Sequence, residues 1–447
     1  MASGTFDKSV GKVRPGTYIN FEDHDTSLVS GGTSGVVVIP FVNTDYGPAK
    51  SFIKITADAL DAAKPYLGYS INDDDPAENM LLVREAFRGA TTVIVYVCTE
   101  GTKAAAADGG GLTATALYKG ARGNDLSYAV LEDPIGGFDV EVYLAGSKVE
   151  EFDGITSADA IASNYISFKS SGDLTEIAGV NLTGGTSATT ENADVTAFLD
   201  ALDAIAFNTI CFPLTEQSLQ ASLKAKVKYI RENTFKKVQG VTANFDADYE
   251  GIINVTNAYA LGSGDLTPAQ ATAYVAGITA GASNVESNTY RTVDGATGVV
   301  GLKSNDAAIE AINKGEFFFS VNDSDEVVCE YDINSLHTFT TKKGKNYRKN
   351  RVIRVFDTFA AAIQSNFPPN KYDNDPDGWE TMKGVGKAIL KRFGPRSDGG
   401  VGAIKNIDYD ADFQIDEENS TGDQTYFNIG LEPVDSAEKL YFTINTR

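Results

Sequence analysis

Asp75–Val97 reads DPAENMLLVREAFRGATTVIVYV. The first half has the pattern of a helix. Pro76 suits a first helical turn, where its missing N–H costs nothing. Gly89 is a helix stop. Thr91–Val97 is then a run of β-branched and aromatic residues of buried-strand length. A helix running straight into such a strand is the unit of an α/β domain. Upstream, SGVVVIPFV (34–42) is a second apolar run of strand length.

Beyond Val97 the texture changes. EGTKAAAADGGGL (100–112) is a small-residue hinge. LTATALYKG, LSYAVLED, FDVEVYLAG and KVEEFD follow as short alternating runs separated by turn residues, an antiparallel β pattern. The pattern fades near LTGGTSATTENAD, and helix–strand texture resumes at DVTAFLDALDAIAFNTICFPL (194–214). Residues 99–190 therefore read as a β-rich domain inserted into a central α/β domain, 23–98 and 191–335.

The α/β pattern continues in TEQSLQASLKAKVKYIREN (215–233), where Leu219, Leu223, Val227 and Ile230 share a helical face. FKKVQGVTANF and GIINVTNAYA read as strands. TPAQATAYVAGITAGA begins with Thr267 as N-cap and Pro268 in the first turn. VFDTFAAAIQSNFPP and DPDGWETMKGVGKAILKRFGP are two further helices, the last spanning Pro376 to Phe393 with Trp379, Met382, Gly386, Ile389 and Phe393 as its apolar stripe. The predicted fold class is α/β and α+β multidomain, with an α+β domain at 336–430 and extended arms at 1–22 and 431–447.

The arms pose a question. The chain ends in EKLYFTINTR, where Leu440, Phe442 and Ile444 alternate with Tyr441 and Thr443. Near the other end, Thr17, Ile19 and Phe21 alternate with Tyr18 and Asn20. Both are strand signals, and a strand needs a neighbour for its backbone groups. That neighbour lies either in the same chain or in another copy.

The chain has 447 residues and a formal net charge of −23. The length allows about two to four domains. The charge disfavours a general binder of nucleic acid or anionic membranes. It is uneven: 336–396 holds 13 Lys/Arg against 5 Asp/Glu, and 397–447 holds 3 against 11. Such asymmetry guides self-association, fits an oppositely charged partner, or reflects clustering on solvated faces. The N-terminal MASGTFDKSVGKVRPG lacks the apolar core of a secretory signal, and no stretch approaches the ~20 apolar residues of a membrane span. Synthesis and folding in a cytoplasm are the default expectation.

The usual chemistry is missing. Cys98, Cys211 and Cys329 lie far apart without C-x-x-C spacing and read as buried thiols. Only His24 and His337 are present, with no H-E-x-x-H and no G-x-S-x-G elbow. GVGKAI lacks the spacing and hydroxyl of a phosphate loop. NDDDPAEN (72–79) places acids before a helix. DYDADFQIDEEN (408–419) spaces Asp408, Asp410 and Asp412 like a calcium loop, but Phe413 stands where glycine is needed and Asn419 where a bidentate Glu belongs. Alternation of Tyr409, Ala411, Phe413 and Ile415 suggests a strand with a wet acidic face instead. TKKGKNYRKNRVIR (341–354) is basic like a nucleic-acid patch, but only Tyr347 interleaves it, so a structural role or contact with an acidic protein surface is favoured. No catalytic residue, metal ligand or cofactor is assigned.

Four blocks, ADYEGIINVTNAY, AYVAGITAGASNVESNTYRTVDGA, EYDINSLHTFTTKKGKNYRKNRVIRVFDTFA and LEPVDSAEKLYFTI, resemble the tail sheath proteins of contractile phages and phage-derived bacteriocins. LTATALYKGARGND, FDVEVYLAGSKVEE, VNLTGGTSATT and FLDALDAIAFNTI resemble sheaths of phages and defective prophages of Gram-positive bacteria. The likeness covers nearly the whole chain, in order. It implies a virion or phage-tail-like particle, assembled in the bacterial cytoplasm from hexameric rings stacked helically around an inner tail tube. Contraction of the sheath drives the tube through a target cell envelope. Baseplate and tail terminator proteins are the other implied partners, with no cofactor, nucleic acid or direct membrane binding.

In such sheaths the terminal arms pair with sheets of neighbouring subunits. That makes Thr17, Tyr18, Ile19, Asn20 and Phe21, and Leu440, Tyr441, Phe442, Thr443 and Ile444, the candidate coupling residues. The family also places the C-terminal region at the inner radius. Lys383, Lys387 and Lys391 recur every four residues along one helix face, with Arg392 beside them, and form the candidate tube-facing row. The family's central domain has been likened to subtilisin in fold, so a hydrolase of that architecture is one alternative. A surface-lattice or adhesion protein is another.

Overall fold

Among the described residues, strands range from fully buried to largely exposed, and most helices bury one face while one is buried all round. The computed structural model describes residues 2–4, 16–18, 35–71, 78–234 and 236–446. The described residues carry eight α-helices and several sheets in a mixed α/β arrangement. They fall into two compact units. One comprises Val38–Phe87 and Thr91–Ile205; the other comprises Met1–Val37, Arg88–Ala90 and Ala206–Arg447.

In the first unit, Phe52–Thr56 pairs antiparallel with Thr92–Val97, register Phe52↔Tyr96 to Thr56↔Thr92. Val93, Val95 and Val97 are 0–1% exposed. Helix α1 is the short Lys64–Leu67, α2 is Glu78–Phe87 and α3 is Asn192–Ala201. Pro76 and most of NDDDPAEN lie outside the described residues. Helix α2 buries Met80, Leu82, Val83 and Ala86. A capping box between Glu191 and Asp194 satisfies orphan N–H groups at the start of α3.

The alternating runs of the same unit form two antiparallel sheets. Four strands run in the order Ser147–Ile155, Phe138–Leu144, Leu126–Glu132, Ile177–Asn181, and three in the order Ile166–Ser170, Leu112–Ala116, Ala105–Gly109. Leu126, Tyr128, Val130, Val140, Val142, Leu112 and Ala114 make one apolar cluster. The Tyr128 hydroxyl donates to the Gly109 (2.8 Å) and Leu112 (3.1 Å) carbonyls, stitching the sheets together. At the base, Gly101–Thr102 pairs antiparallel with Thr186–Ser187. A Cβ at Gly101 would lie 1.8 Å from the Thr186 carbonyl oxygen, so only glycine permits this approach.

The second unit is built on parallel strands in the order Glu316–Phe317, Ile252–Val255, Gln239–Ala243, Thr209–Cys211. Parallel neighbours need a crossover, and α4 (Gln217–Asn233) supplies it between Thr209–Cys211 and Gln239–Ala243. It buries Leu219, Leu223, Val227 and Ile230, the predicted face. Helix α5 (Pro268–Gly281) is uncharged and buried over Ala271–Ala280, and it packs on the sheet. Its Thr267 accepts the Gln270 N–H in a capping box. Helix α6 (Asn305–Asn313) follows. Helices α7 (Asn350–Asn366) and α8 (Pro376–Phe393) pack together over Val355, Phe359, Ile389, Leu390, Phe393 and Phe413.

Two expectations need correction. GIINVTNAYA is two strands, Ile252–Val255 and Ala258–Leu261, in different sheets. Asn257 interrupts it, spending its amide on the Phe319 N–H (2.7 Å) and C=O (2.8 Å). The strand predicted over Tyr409–Ile415 begins only at Phe413. Asp408 instead accepts the Asp410 and Ala411 N–H groups, a local turn that competes with a ladder. Leu440–Ile444 forms no strand within this chain, which leaves open the pairing with another copy that its alternation also allows.

Candidate assembly surface

The C-terminal tail divides at one residue. From Leu431 to Val434 it is tied by its backbone. Lys405 N–H donates to the Glu432 carbonyl (3.1 Å) and Val434 N–H to the Ala403 carbonyl (2.9 Å), with a bridge between Ile404 and Pro433. From Asp435 to Glu438 the ties are side chains. Lys349 Nζ contacts Asp435 Oδ2 at 3.2 Å and donates to Glu438, while Arg351 Nη1 donates to Ser436 Oγ (2.5 Å). Glu438 Oε1 also accepts from Ser287 Oγ (3.1 Å) and Thr289 Oγ1 (2.8 Å).

These partners are mostly buried. The Lys349 and Glu438 side chains are 13% and 9% exposed. Burial opposes the Lys349 charge, yet hydrogen bonding to Glu438 and Tyr331 and the charge of Asp435 hold its pKa above the usual lysine value. The Thr289 oxygen accepts the Asp332 N–H (3.0 Å). The Asp332 carboxylate, 1% exposed, takes Arg354 Nη2 (2.8 Å), Asn350 Nδ2 (2.9 Å) and the Asn288 N–H (3.0 Å).

Past Lys439 the support ends. Leu440 is 66% exposed, Tyr441 90%, Phe442 82% and Ile444 88%. At the other terminus Gly16–Tyr18 pairs parallel with Ala2–Gly4, placing Thr17 and Tyr18 opposite Ser3 and Gly4. Ile19, Asn20 and Phe21 lie outside the described residues.

Helix α8 buries Met382, Gly386, Ile389 and Phe393, and Trp379 donates its indole N–H to Asn374 Oδ1 (2.7 Å). Its cations are not equivalent. Lys383 bridges Glu380 (3.0 Å) and Glu417 (3.1 Å) and is only 14% exposed in its side chain. Lys387 pairs with Asp410 at 2.7 Å. Lys391 and Arg392 are exposed and have no ion-pair partner among the described residues. The oppositely charged segments noted in the sequence therefore meet each other in part, Lys349 with Asp435 and Glu438, Lys383 with Glu417 and Lys387 with Asp410, while Lys405 pairs with Glu432 (2.7 Å) inside the acidic segment. Sequence reading missed the anchoring role of Lys349, Arg351, Ser436 and Glu438. The matched charge imbalance of the two segments was the available signal.

Other residues singled out in the sequence have local partners or are buried. His337 Nδ1 lies 3.1 Å from the Ser335 carbonyl and near Asp248 and Asp246. Lys343 of the basic run pairs with Glu250. All three cysteines are buried, and burial pushes the Cys98 and Cys211 thiols up to about 12. Among the described residues no cluster of three His, Cys, Asp or Glu side chains is placed to hold a metal, and no helix is long and apolar enough to cross a membrane.

Comparison with known proteins agrees along the chain. The signature of the tail sheath protein Gp18 domain III N-terminal region matches residues 34–96. Those of the phage tail sheath protein central and C-terminal domains match 188–335 and 342–447. The phage-like element PBSX protein XkdK of Bacillus subtilis is 35% identical over 475 residues, covering 99% of each chain. The crystal structure of a sheath tail protein from Desulfitobacterium hafniense is 36% identical with a TM-score of 0.80, covering 96% of this chain and 99% of that one. One from Listeria innocua is 34% identical with a TM-score of 0.76, covering 93% and 96%. These matches lend no support to the hydrolase or surface-lattice alternatives. A chain alike end to end, in fold and in sequence, to sheath proteins belongs to the phage tail sheath protein family and is a structural subunit of a contractile tail sheath.

Proposed function

We propose that this subunit forms hexameric rings, stacked helically around an inner tail tube, with its terminal arms as the couplers between copies. Assembly takes place in the bacterial cytoplasm, and baseplate and tail terminator proteins bound the two ends of the sheath. The subunit is structural rather than enzymatic and needs no cofactor, nucleic acid or direct membrane contact. Energy is stored in subunit contacts of a metastable extended lattice and released as the packing changes.

The observation that carries this reading is the tail: anchored through Glu438, then bare over four large apolar residues. An extended segment gains backbone hydrogen bonds and side-chain pockets by adding to a sheet edge of a second copy. The two-stranded sheet of Phe413–Ile415 and Phe427–Ile429 is a suitable acceptor in that copy. Thr17, Tyr18, Ile19, Asn20 and Phe21 serve the other end of the same exchange. Lys391 and Arg392, with a smaller share from Lys383 and Lys387, face the tube.

We also propose the domain division read from the sequence: arms at 1–22 and 431–447, a central domain at 23–98 and 191–335, an insertion at 99–190 and an inner domain at 336–430. The pairing of Gly101–Thr102 with Thr186–Ser187 supports it, because the insertion then leaves and rejoins its host at one neck. The family signatures also leave 97–187 unmatched.

The arm reading is tested by deleting Leu440–Arg447, which leaves the anchor intact. The truncated chain is expected to melt like the full chain and to form no tubes or sleeves by negative-stain microscopy. Normal assembly of the truncated chain overturns the reading.

A further inference from the structure

Glu438 stands where the anchored part of the tail meets the bare part, and it rests on a chain of buried groups. Its carboxylate takes Lys349, Ser287 and Thr289. Thr289 takes the Asp332 N–H, and Asp332 takes Arg354, whose Nη2 also donates to the Glu286 carbonyl (2.8 Å). Lys349 also lies over the Tyr331 ring at 4.6 Å, and Lys439 lies 5.9 Å from the same ring. One residue later the chain is in solvent. The position at which the tail becomes free is therefore set by a charged, hydrogen-bonded contact rather than by fading of the apolar core.

We propose that Glu438 is a positioning residue, the pivot from which the arm reaches a second copy of this chain, and that Lys349 is its counter-charge. This rests on the arm-exchange reading above. The clamp fixes the origin of the arm. Only residues 439–447 then swing, a reach of about 30 Å at the rise of an extended strand. Without the clamp the freely moving segment grows backward toward Val434, whose N–H holds the last backbone tie. A longer loose segment must lose more conformational freedom when it pairs, and its end is held at lower effective concentration near the acceptor edge. The clamp thus acts on assembly rather than on the fold, because the residues it fixes lie outside the apolar core.

The test is a double-mutant cycle on the full chain with Glu438→Gln, Lys349→Met and the two combined. Each is compared with wild type and with the Leu440–Arg447 deletion. Readouts are the critical concentration for tube formation by light scattering, the melting temperature, and amide exchange over residues 434–439 in the unassembled subunit. Each single variant is expected to raise the critical concentration about tenfold, the scale of one charge-assisted hydrogen bond. Exchange should quicken over 434–439 with the melting temperature little changed. The double variant should be no worse than either single one. The pivot is overturned if the deletion blocks assembly while Glu438→Gln assembles at the wild-type concentration. It is equally overturned if the two single effects simply multiply in the double variant. Should the deletion itself assemble normally, arm exchange fails first, whatever the cycle gives.

Discussion

Residues 431–438 and 440–446 are neighbours in sequence and opposites in physical state. The first stretch is tied to the folded unit: the Val434 N–H donates to the Ala403 carbonyl, the Glu432 carbonyl accepts the Lys405 N–H, and carboxylates and a hydroxyl engage Lys349, Arg351, Ser287 and Thr289. The second presents Leu440, Tyr441, Phe442 and Ile444 to solvent. Composition alone does not separate them, since the bare stretch is the more apolar one. The difference teaches that polar contacts to a buried network can hold a segment while an apolar, alternating segment stays free for a surface elsewhere. A coupler needs both properties in series. A tail loose throughout would be expensive to order, and a tail packed throughout would have nothing left to offer a second copy.

The largest effect is expected beneath the anchor. Asp332 is 1% exposed and holds Arg354, whose side chain is 9% exposed. Arg354 Nε and Nη1 already have no partner among the described residues. Removing one member of a buried pair typically costs about 3–5 kcal/mol, because the other charge stays buried and unmatched. Asp332→Ala is therefore expected to lower unfolding stability by roughly that amount in denaturant titration. It should also loosen 434–438 in amide exchange. If stability falls by under about 1 kcal/mol, the network is not what makes the anchor rigid.

How much of this was legible in the sequence follows the same division. The helices α4, α5, α7 and α8 were readable because their periodicity and caps are local: Leu219, Leu223, Val227 and Ile230 for one, Thr267 with Pro268 for another. The alternating runs of the β-rich region were readable for the same reason. The break at Asn257 was not, because it depends on Phe319, 62 residues away. Nor was the anchor, since Lys349 and Glu438 are separated by 89 positions, and a charge gives no periodic signal. The row Lys383, Lys387, Lys391 was seen correctly as a helix face. Its partners Glu417 and Asp410 are distant, and only the fold shows that two of the three lysines are already engaged.

A smaller effect separates packed from unpacked positions within α8 itself. A Cβ at Gly386 would lie 2.2 Å from the ring of Phe413, whereas one at Gly384 meets nothing within 4 Å. Phe413 is fully buried and held between Phe367 and Phe427, so its ring has little room to give. Alanine gains up to about 1 kcal/mol over glycine in a helix interior, but overpacking a core costs about 1–3 kcal/mol. Gly386→Ala should therefore destabilise by about 1–2 kcal/mol, the overpacking exceeding the propensity gain. Gly384→Ala should stabilise by up to about 1 kcal/mol. Thermal melts of both variants decide it. Equal shifts of the same sign would mean that the ring moves aside at no cost.

The smallest effect concerns the same helix's cations, and it separates two accounts of them. Lys391 and Arg392 lie in the last turn, where positive charge favours the negative end of the helix dipole. If that is their whole role, charge reversal lowers the melting temperature of the lone subunit and does nothing specific to tube binding. If they face the tube, reversal leaves the melt nearly unchanged and weakens sheath–tube association at low salt. The engaged lysines provide the control. Hydrogen bonds to Glu380 and Glu417 raise the Lys383 pKa above its usual value, and Lys387 is held by Asp410. Both pairs must open before either lysine serves another acid. Lys391→Glu with Arg392→Glu should therefore weaken co-sedimentation with purified tubes several-fold more than Lys383→Glu with Lys387→Glu. Exposed ion pairs are weak and salt-screened, so the difference should vanish as ionic strength rises toward about 1 M, where the screening length falls to about 3 Å. Equal losses from the two double variants, or a loss that persists at high salt, would sink the assignment of Lys391 and Arg392 to the tube.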